Sequence, residues 1–555
     1  MHVRNISSRA RVYLLCHAAN ATLVLALTLI PAQALSAPGD TELISMRYTD
    51  GLANGGSYVG SKQGVSGDGR YVVFWAHIDG LVPIVGLAPQ QVYVRDRLAG
   101  TTTRVSVGSD GTSANGNSDD AAISVDGRYV TFASEGSNLV PGDTNGQRDV
   151  FIHDRSAGVT EIVSVGPGGA PANSWSGGPS LSADGRFVAF HSEATNLATG
   201  DTNPWVDVYV RDRLLGTTER ISVGTNGAQA NGYCWSPSIS GDGRYVAFGS
   251  WASSLAADPG VVRGNNVYVR DRATGTTELV PVRSTSTSGF QPQPSLSADS
   301  RYVAFASDAA DLVPGDTNGV SDIFIYDRNT AATRRVSIAN NGAEARGAST
   351  EPDISANGRY VSFDSGAPNL VFGDTNGNFD VFLRDLVAAT TQRVSVTSTG
   401  AQASYGGSGW NSLSEDGALA VFTANGSLSP SDINRANDVY AHERIDLAPA
   451  ESQFTLKPLL IDFGSVMIGT SSTKALWLQN RGLRELRLQA ISLRGTDKGM
   501  FRRSTTCRDV VAVGAGCRIV VSFAPTDVGQ RTARVRVETA ESEVKVRDLI
   551  GVGAM

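Results

Sequence analysis

The sequence predicts an all-β protein: a seven-bladed β-propeller of four-stranded blades, followed by an immunoglobulin-like β-sandwich. Composition, an internal repeat and a strand-like alternation carry this reading. The chain of 555 residues holds 61 glycines and 18% charged residues, and 41% of it is hydrophobic. That composition suits a buried core with many turns and argues against disorder and against helical bundles. A phrase of the form Ser-x-Asp-Gly-Arg-Tyr-Val-x-Phe recurs along the chain. Its glycine falls at Gly69, Gly127, Gly185, Gly243, Gly358 and Gly417, with Ser300 in the fifth place, so successive copies stand 58, 58, 58, 57, 58 and 59 residues apart. A fixed period of this kind marks a repeat architecture. Within each copy apolar residues alternate with period two, as half-buried strands require.

The first element is a segment to be removed. Arg4, Arg9 and Arg11 precede an apolar run over 18–30, which ends in Ala32-Gln33-Ala34. This order reads as a secretory signal peptide over 1–34, cleaved after Ala34. The run is shorter than the roughly 20 residues a membrane span needs. The mature chain is therefore expected in the periplasm or outside the cell, with no transmembrane segment. A net charge of −7 gives no reason to expect nucleic acid as a partner. Cys16 leaves with the signal. Cys507 and Cys517 are expected to pair, leaving Cys234 as a small buried thiol.

The propeller occupies 41–446. In the third copy, 178–182 leads through Ala183-Asp184-Gly185-Arg186 into 187–192, then 207–213 and 219–223. The Asp-Gly step is a hairpin signal, because such a turn needs positive φ. Six copies end in a fourth strand like 101–107, whereas the seventh runs past 438–444 without one. The residues at 41–47, Thr-Glu-Leu-Ile-Ser-Met-Arg, resemble the missing piece. They are expected to form the outer strand of the last blade, which would tie the ends of the propeller together and remove an exposed edge.

The phrases "SADGRYVAF", "DVYVRDR" and "TTERISV" resemble the WD40-like repeats of the TolB-type β-propeller family, over about 400 residues. The resemblance implies the fold and leaves function open, since the superfamily holds scaffolds, lyases and peptidase lids. The leading α/β domain of TolB itself has no counterpart here, and TolB has six blades rather than seven. The segment 447–555 changes character, with "IDFGSVMIGT", "ALWLQNRG" and "CRIVVSFAPTDVGQRTARVRV". It resembles the ASH or choice-of-anchor-D type of immunoglobulin-like domain, a spacer or interaction module. Cys507 and Cys517 stand where that family often has its pair.

Catalytic chemistry finds little support. The histidines of the mature chain are His77, His153, His191 and His442, and none sits in a convincing grouping with a nucleophile and an acid. The more suggestive feature lies between the second and third strands of five blades. There an Asp pair six residues apart encloses an Asn: Asp143, Asn145 and Asp149; Asp201, Asn203 and Asp207; Asp316, Asn318 and Asp322; Asp374, Asn376 and Asp380; Asp432, Asn434 and Asp438. Two readings stand side by side. Alternate oxygen side chains resemble the first half of a calcium loop, and Asp and Asn equally cap turns through their own backbone. Blades 1 and 4 carry Gln91 and Asn266 at the last place, which leaves at most five calcium ions.

Propeller geometry puts the loops between second and third strands on the same face as those between blades. Trp75, Trp175, Trp205, Tyr233, Trp235, Trp251, Tyr405 and Trp410 all map to that face. Aromatic faces beside Asn, Ser and Asp are what a sugar- or peptide-binding rim offers, although loop tryptophans also pack between blades. The expectation is an exported, monomeric, non-enzymatic binding or scaffold protein, whose rim holds a protein or a cell-envelope polysaccharide or peptidoglycan-associated partner. The alternative is a lyase or hydrolase acting on polysaccharide at the same face.

Overall fold

In the computed structural model the described residues are 39–46, 56–60, 62–77, 89–256, 264–284, 292–403, 406–432, 434, 436–444, 454–457, 460–480, 486–511, 515–539 and 544–555. The expected signal peptide and Tyr405 lie outside them. No helix among these residues is long and apolar enough to cross a membrane.

Seven four-stranded antiparallel sheets follow one another along 41–443, and these are the blades. In blade 3 the strands are Ser176–Leu181, Phe187–Ser192, Asp207–Asp212 and Thr217–Arg220, each paired with the next. Seven apolar clusters fill the junctions between blades. One joins Val188, Phe190 and Tyr209 of blade 3 to Val150 and Ile152 of blade 2, and another joins Leu419, Val421 and Val439 of blade 7 to Val59 and Phe74 of blade 1. The second of these closes the ring.

Closure follows the expected scheme. Thr41–Leu43 pairs antiparallel with Asp438–Glu443, with Leu43 opposite Tyr440. The strand repeats two side-chain contacts of an ordinary fourth strand. Thr41 Oγ1 donates to Val396 O as Thr218 Oγ1 does to Val165 O. Ser45 Oγ donates to Asp438 Oδ1 at 2.5 Å as Ser164 Oγ does to Asp149. Leu43 and Ile44 are buried, each contributing about 1.5–3 kcal/mol by area removed from water.

The recurring phrase is explained at the turns joining first to second strands. Ser182 Oγ donates to Asp184 and accepts the Phe187 N–H, closing the hairpin. Arg186 then makes two parallel bonds to Asp212, whose Oδ1 also caps the next turn at Leu214. This bidentate pair recurs in six blades at 2.6–2.8 Å. The glycine is needed twice over. Gly243 has φ +73°, and a Cβ there would sit 2.2 Å from the Phe187 ring of the preceding blade. That ring lies between Arg186 and Arg272, at 4.6 and 4.4 Å, and Arg155, Arg213, Arg328 and Arg444 stack in the same way on a ring of the preceding blade.

The C-terminal segment is a two-sheet sandwich. Four strands (Phe454–Lys457, Ser472–Asn480, Gly516–Phe523, Phe501–Thr505) make one sheet and five (Leu460–Met467, Val544–Ala554, Gly529–Thr539, Leu486–Arg494, Val510–Val511) the other. Inward residues alternate along the strands, with Leu476, Leu478, Ile519, Val521, Val535 and Val537 in the core. Cys507 and Cys517 form the expected disulfide, and Cys234 is free and buried.

Candidate functional site

The ring's axis at the loop-rich face is built from the first strands. Their backbone breaks register midway, for example between Thr350 and Asp353 and between Gly409 and Asn411. At that bulge one residue adopts left-handed φ: Asp120 at +50°, Ser236 at +48°, Glu351 at +51° and Trp410 at +54°, with Gln63 at +51° in blade 1. Such φ costs energy in non-glycine residues and aims the side chain away from the regular pleat.

Just beyond the bulge a belt of bonds links neighbouring blades. Ser180 Oγ accepts the Ile239 N–H, Ser238 Oγ that of Leu296, and Ser295 Oγ that of Ile354. Asp353 Oδ2 accepts from Leu413 and Ser412 Oγ from Gly64. Blade 2 has Ala122 at this place and cannot contribute. Gln63 replaces it: its carbonyl accepts from Ile123, and its side chain bonds both the N–H and the C=O of Leu181 in blade 3. Beside it Lys62 reaches across to Ser236 O of blade 4 at 3.3 Å.

Two polar groups flank Lys62. In blades 2 and 3, Arg148 pairs with Asp119 and Asp120, and a Cβ at Gly177 would lie within 4 Å of Arg148, Asp120 and His191. In blades 6 and 7, Asp364 accepts from the Trp410 N–H at 2.9 Å and from Asn411 Nδ2 at 2.8 Å. Asn411 also bonds Glu351 O, and Glu351 Oε2 is buried without a partner. Loss of hydration governs the protonation here. It lowers Lys62 to about 8 against the pull of Asp353 and Glu351, and His191 to about 4. It raises Asp119 and Asp353 to about 6, and it raises Glu351 and lifts Asp364 well above the carboxylate range beside Glu351. Glu351 and Asp364 are thus a buried carboxyl pair in which loss of hydration favours the neutral form.

The rim aromatics gather into two groups and an isolated pair. Trp75 and Trp410 meet at 5.7 Å and are joined by Tyr58. Trp205, Tyr233, Trp251 and Trp235 form a chain with ring separations of 5.0, 5.6 and 5.4 Å. Trp175 stands edge-on to His191 at 5.4 Å. Trp251 and Trp410 keep 37% and 43% of their surface exposed, whereas Trp75 and Trp235 are buried.

The Asp-Asn loops have their own internal chemistry. In blades 2, 3, 5 and 6 the Asn amide donates to the second Asp. A fourth-strand serine donates to the other oxygen of the same Asp. In three blades the charge between the two carboxylates is an arginine. Arg220 Nη1 lies 2.9 and 3.8 Å from Asp201 and Asp207, Arg335 Nη1 3.7 and 3.3 Å from Asp316 and Asp322, and Arg393 Nη1 3.3 and 3.4 Å from Asp374 and Asp380. In blade 7 Asp432 accepts from the Tyr440 hydroxyl at 2.5 Å, and Ala436 N–H bonds Asn434. No group of three or more His, Cys, Asp or Glu placed to hold a metal occurs among the described residues.

Lys62, Gln63, Asp120, Glu351, Asp364 and Asn411 were not singled out from the sequence. One signal was available. Seven residues before each ruler position stand Lys62, Asp120, Gly178, Ser236, Gln293, Glu351 and Trp410, seven different residue types inside an otherwise repetitive unit.

Residues 452–548 match the family model described as HYDIN/CFA65/VesB-like, Ig-like domain. No curated protein matches the sequence. Among solved structures, the chain is similar to a putative TolB from Agrobacterium tumefaciens, with 14% identity, TM-score 0.33, and 62% of this chain and 94% of that one covered. It is similar to a prolyl endopeptidase, with 13% identity, TM-score 0.41 and coverages of 80% and 56%. It is also similar to the ASH / PapD-like domain of human CEP192, with 17% identity, TM-score 0.15 and coverages of 18% of this chain and 85% of that one.

Proposed function

We propose that this chain is an exported, non-enzymatic binding protein that holds a cell-envelope polysaccharide on the loop-rich face of its propeller, with the immunoglobulin-like tail as spacer or docking module. One observation carries the reading: the exposed ring of Trp410, whose N–H bonds Asp364, stands at an axial cluster of carboxyls, amide, lysine and imidazole, and Trp251 leaves a second aromatic surface exposed. Flat apolar faces beside hydrogen-bonding groups suit sugar rings. The disulfide fits an oxidising compartment. The test is a glycan array with the mature protein, run beside a pull-down from envelope extract, for the wild type, Trp251→Ala and Trp410→Gly. Saccharide binding lost in both variants supports the proposal; binding to protein alone, or binding indifferent to both substitutions, overturns it.

A second reading, an enzyme acting on polysaccharide at the same place, is favoured by the Glu351–Asp364 carboxyl pair, since acid catalysis needs a protonated carboxyl near neutral pH. Release of reducing ends or unsaturated products from a bound polymer, abolished in Glu351→Gln, would establish it.

A further inference from the structure

The five Asp pairs are not equivalent, and the difference is confined to two positions that face each other across strands. These cross-strand partners are Tyr209 and Arg220 in blade 3, Phe324 and Arg335 in blade 5, and Phe382 and Arg393 in blade 6. Blade 7 places Tyr440 opposite Leu43. In each of these four blades the first Asp therefore meets a guanidinium, a phenol or both: Asp201 meets Arg220 and Tyr209, Asp316 meets Arg335, Asp374 meets Arg393, and Asp432 meets Tyr440. In blade 2 the same pair of positions is Phe151 and Ile162. Neither can donate a hydrogen bond or carry charge.

The consequence is visible at Asp143. It is only 8% exposed, and its Oδ1 is fully buried with no hydrogen-bond partner. Asp149, six residues on, is fully buried too. The one cation in the loop, Arg148, is committed to Asp119 and Asp120. Blade 2 thus keeps both carboxylates of the loop and has lost the positive or donating group that accompanies them elsewhere. A buried carboxylate oxygen without a partner is costly. Two carboxylates side by side repel unless a cation lies near them.

We propose that blade 2 binds a single divalent cation of the calcium type, held by the carboxylates of Asp143 and Asp149, in the place that an arginine fills in blades 3, 5 and 6. The ligands are hard oxygens on a loop, and calcium tolerates irregular geometry with water and main-chain oxygens completing its shell. In blades 3, 5 and 6 an arginine already fills that place, and in blade 7 the Tyr440 hydroxyl donates to Asp432, although Asp438 Oδ2 is buried without a hydrogen-bond partner; these four loops are expected to bind none.

The test uses the mature protein, calcium chloride and a chelator. Equilibrium dialysis with labelled calcium should give one ion per chain. Calcium in large excess over Kd should raise the melting temperature by about 2–4 °C over the chelated sample. Asp143→Asn should abolish both effects. Ile162→Arg installs the arginine of the other blades and should abolish calcium binding as well, while melting in chelator at or above the wild type. A folded Ile162→Arg protein therefore keeps the test decisive even if Asp143→Asn misfolds. Identical wild-type melting in calcium and chelator, stoichiometry near five, or calcium binding that survives Ile162→Arg would each overturn the proposal.

Discussion

The two faces of the ring obey different rules. On the turn face six blades carry the same bidentate Arg–Asp pair at nearly the same distances, and the hairpin serine bonds an Asp in every blade but the sixth, where Asn357 takes its place. At the axis of the loop face, the residue on each first-strand bulge differs from blade to blade. A side chain copied in almost every blade serves what every blade needs, which is its own hairpin and its junction with the next. A site for an asymmetric ligand needs groups that occur once. The contrast sets repeated architecture on one face against blade-specific groups on the other, and it can be tested by perturbing each.

Removing 39–46 should have the largest effect, because it strips the outer strand from blade 7 and exposes the third strand's edge. The expected outcome is loss of cooperative thermal unfolding together with aggregation, read by calorimetry and size-exclusion chromatography. A variant melting like the parent would show that the ring does not depend on this closure.

Next comes an asymmetry within the turn face itself. The Arg97 side chain is fully buried and bonds Glu42, Glu443 and Gly69 O at 2.8–2.9 Å, so it clamps the closing strand. Its counterpart Arg213 meets Glu161, which is 47% exposed. Arg97→Ala should cost ~3–5 kcal/mol by leaving buried charge uncompensated, and Arg213→Ala ~0–1 kcal/mol. Urea unfolding of the two variants checks this; equal losses would mean the closure pair is not special.

The faces should also respond oppositely to pH. Asp154 on the turn face is held near 2 by hydrogen bonds from Arg128. Its contribution is present above the unfolded value of ~3.9 and disappears as pH falls through about 2. At the axis Asp119 and Asp353 are raised to about 6 by burial. Their contribution is complete below ~3.9 and lost as pH rises through about 6. Stability should therefore peak in mild acid and decline toward pH 8. Glu351→Gln, which removes a buried charge and supplies a donor toward Asp364, should flatten that decline and raise stability at pH 8 by ~1 kcal/mol. Denaturant midpoints at pH 4.5, 6 and 8 give the answer, and an unchanged slope would separate the carboxyl pair from the effect.

The smallest change is expected at the most exposed aromatic of the axis. Trp410 has φ +54°, a conformation glycine adopts without strain. Trp410→Gly should alter stability by no more than ~1 kcal/mol, because relief of backbone strain offsets lost ring contacts. A large loss would make Trp410 a structural residue of the blade 7–1 junction.

The sequence by itself determined the blades, their number, the closing strand and the disulfide, since each rests on local or repeated information. Period-two burial, Asp-Gly turns and a 58-residue ruler survive without knowing which residues meet in space. It also leads to the expectation that the rim tryptophans share one face, because strand order fixes which loops lie together. Only the tertiary structure decided what meets at the axis. Lys62 and Ser236, or Gln63 and Leu181, are 174 and 118 residues apart and join only because the ring brings every first strand to one line. It likewise revealed that Arg155, Arg213, Arg272, Arg328 and Arg444 stack on the neighbouring blade, and that Arg220, Arg335 and Arg393 stand between carboxylates whose spacing in the sequence is open to a calcium-loop reading. A loop's charge balance depends on the strand packed beside it, and in this fold that strand lies beyond the motif.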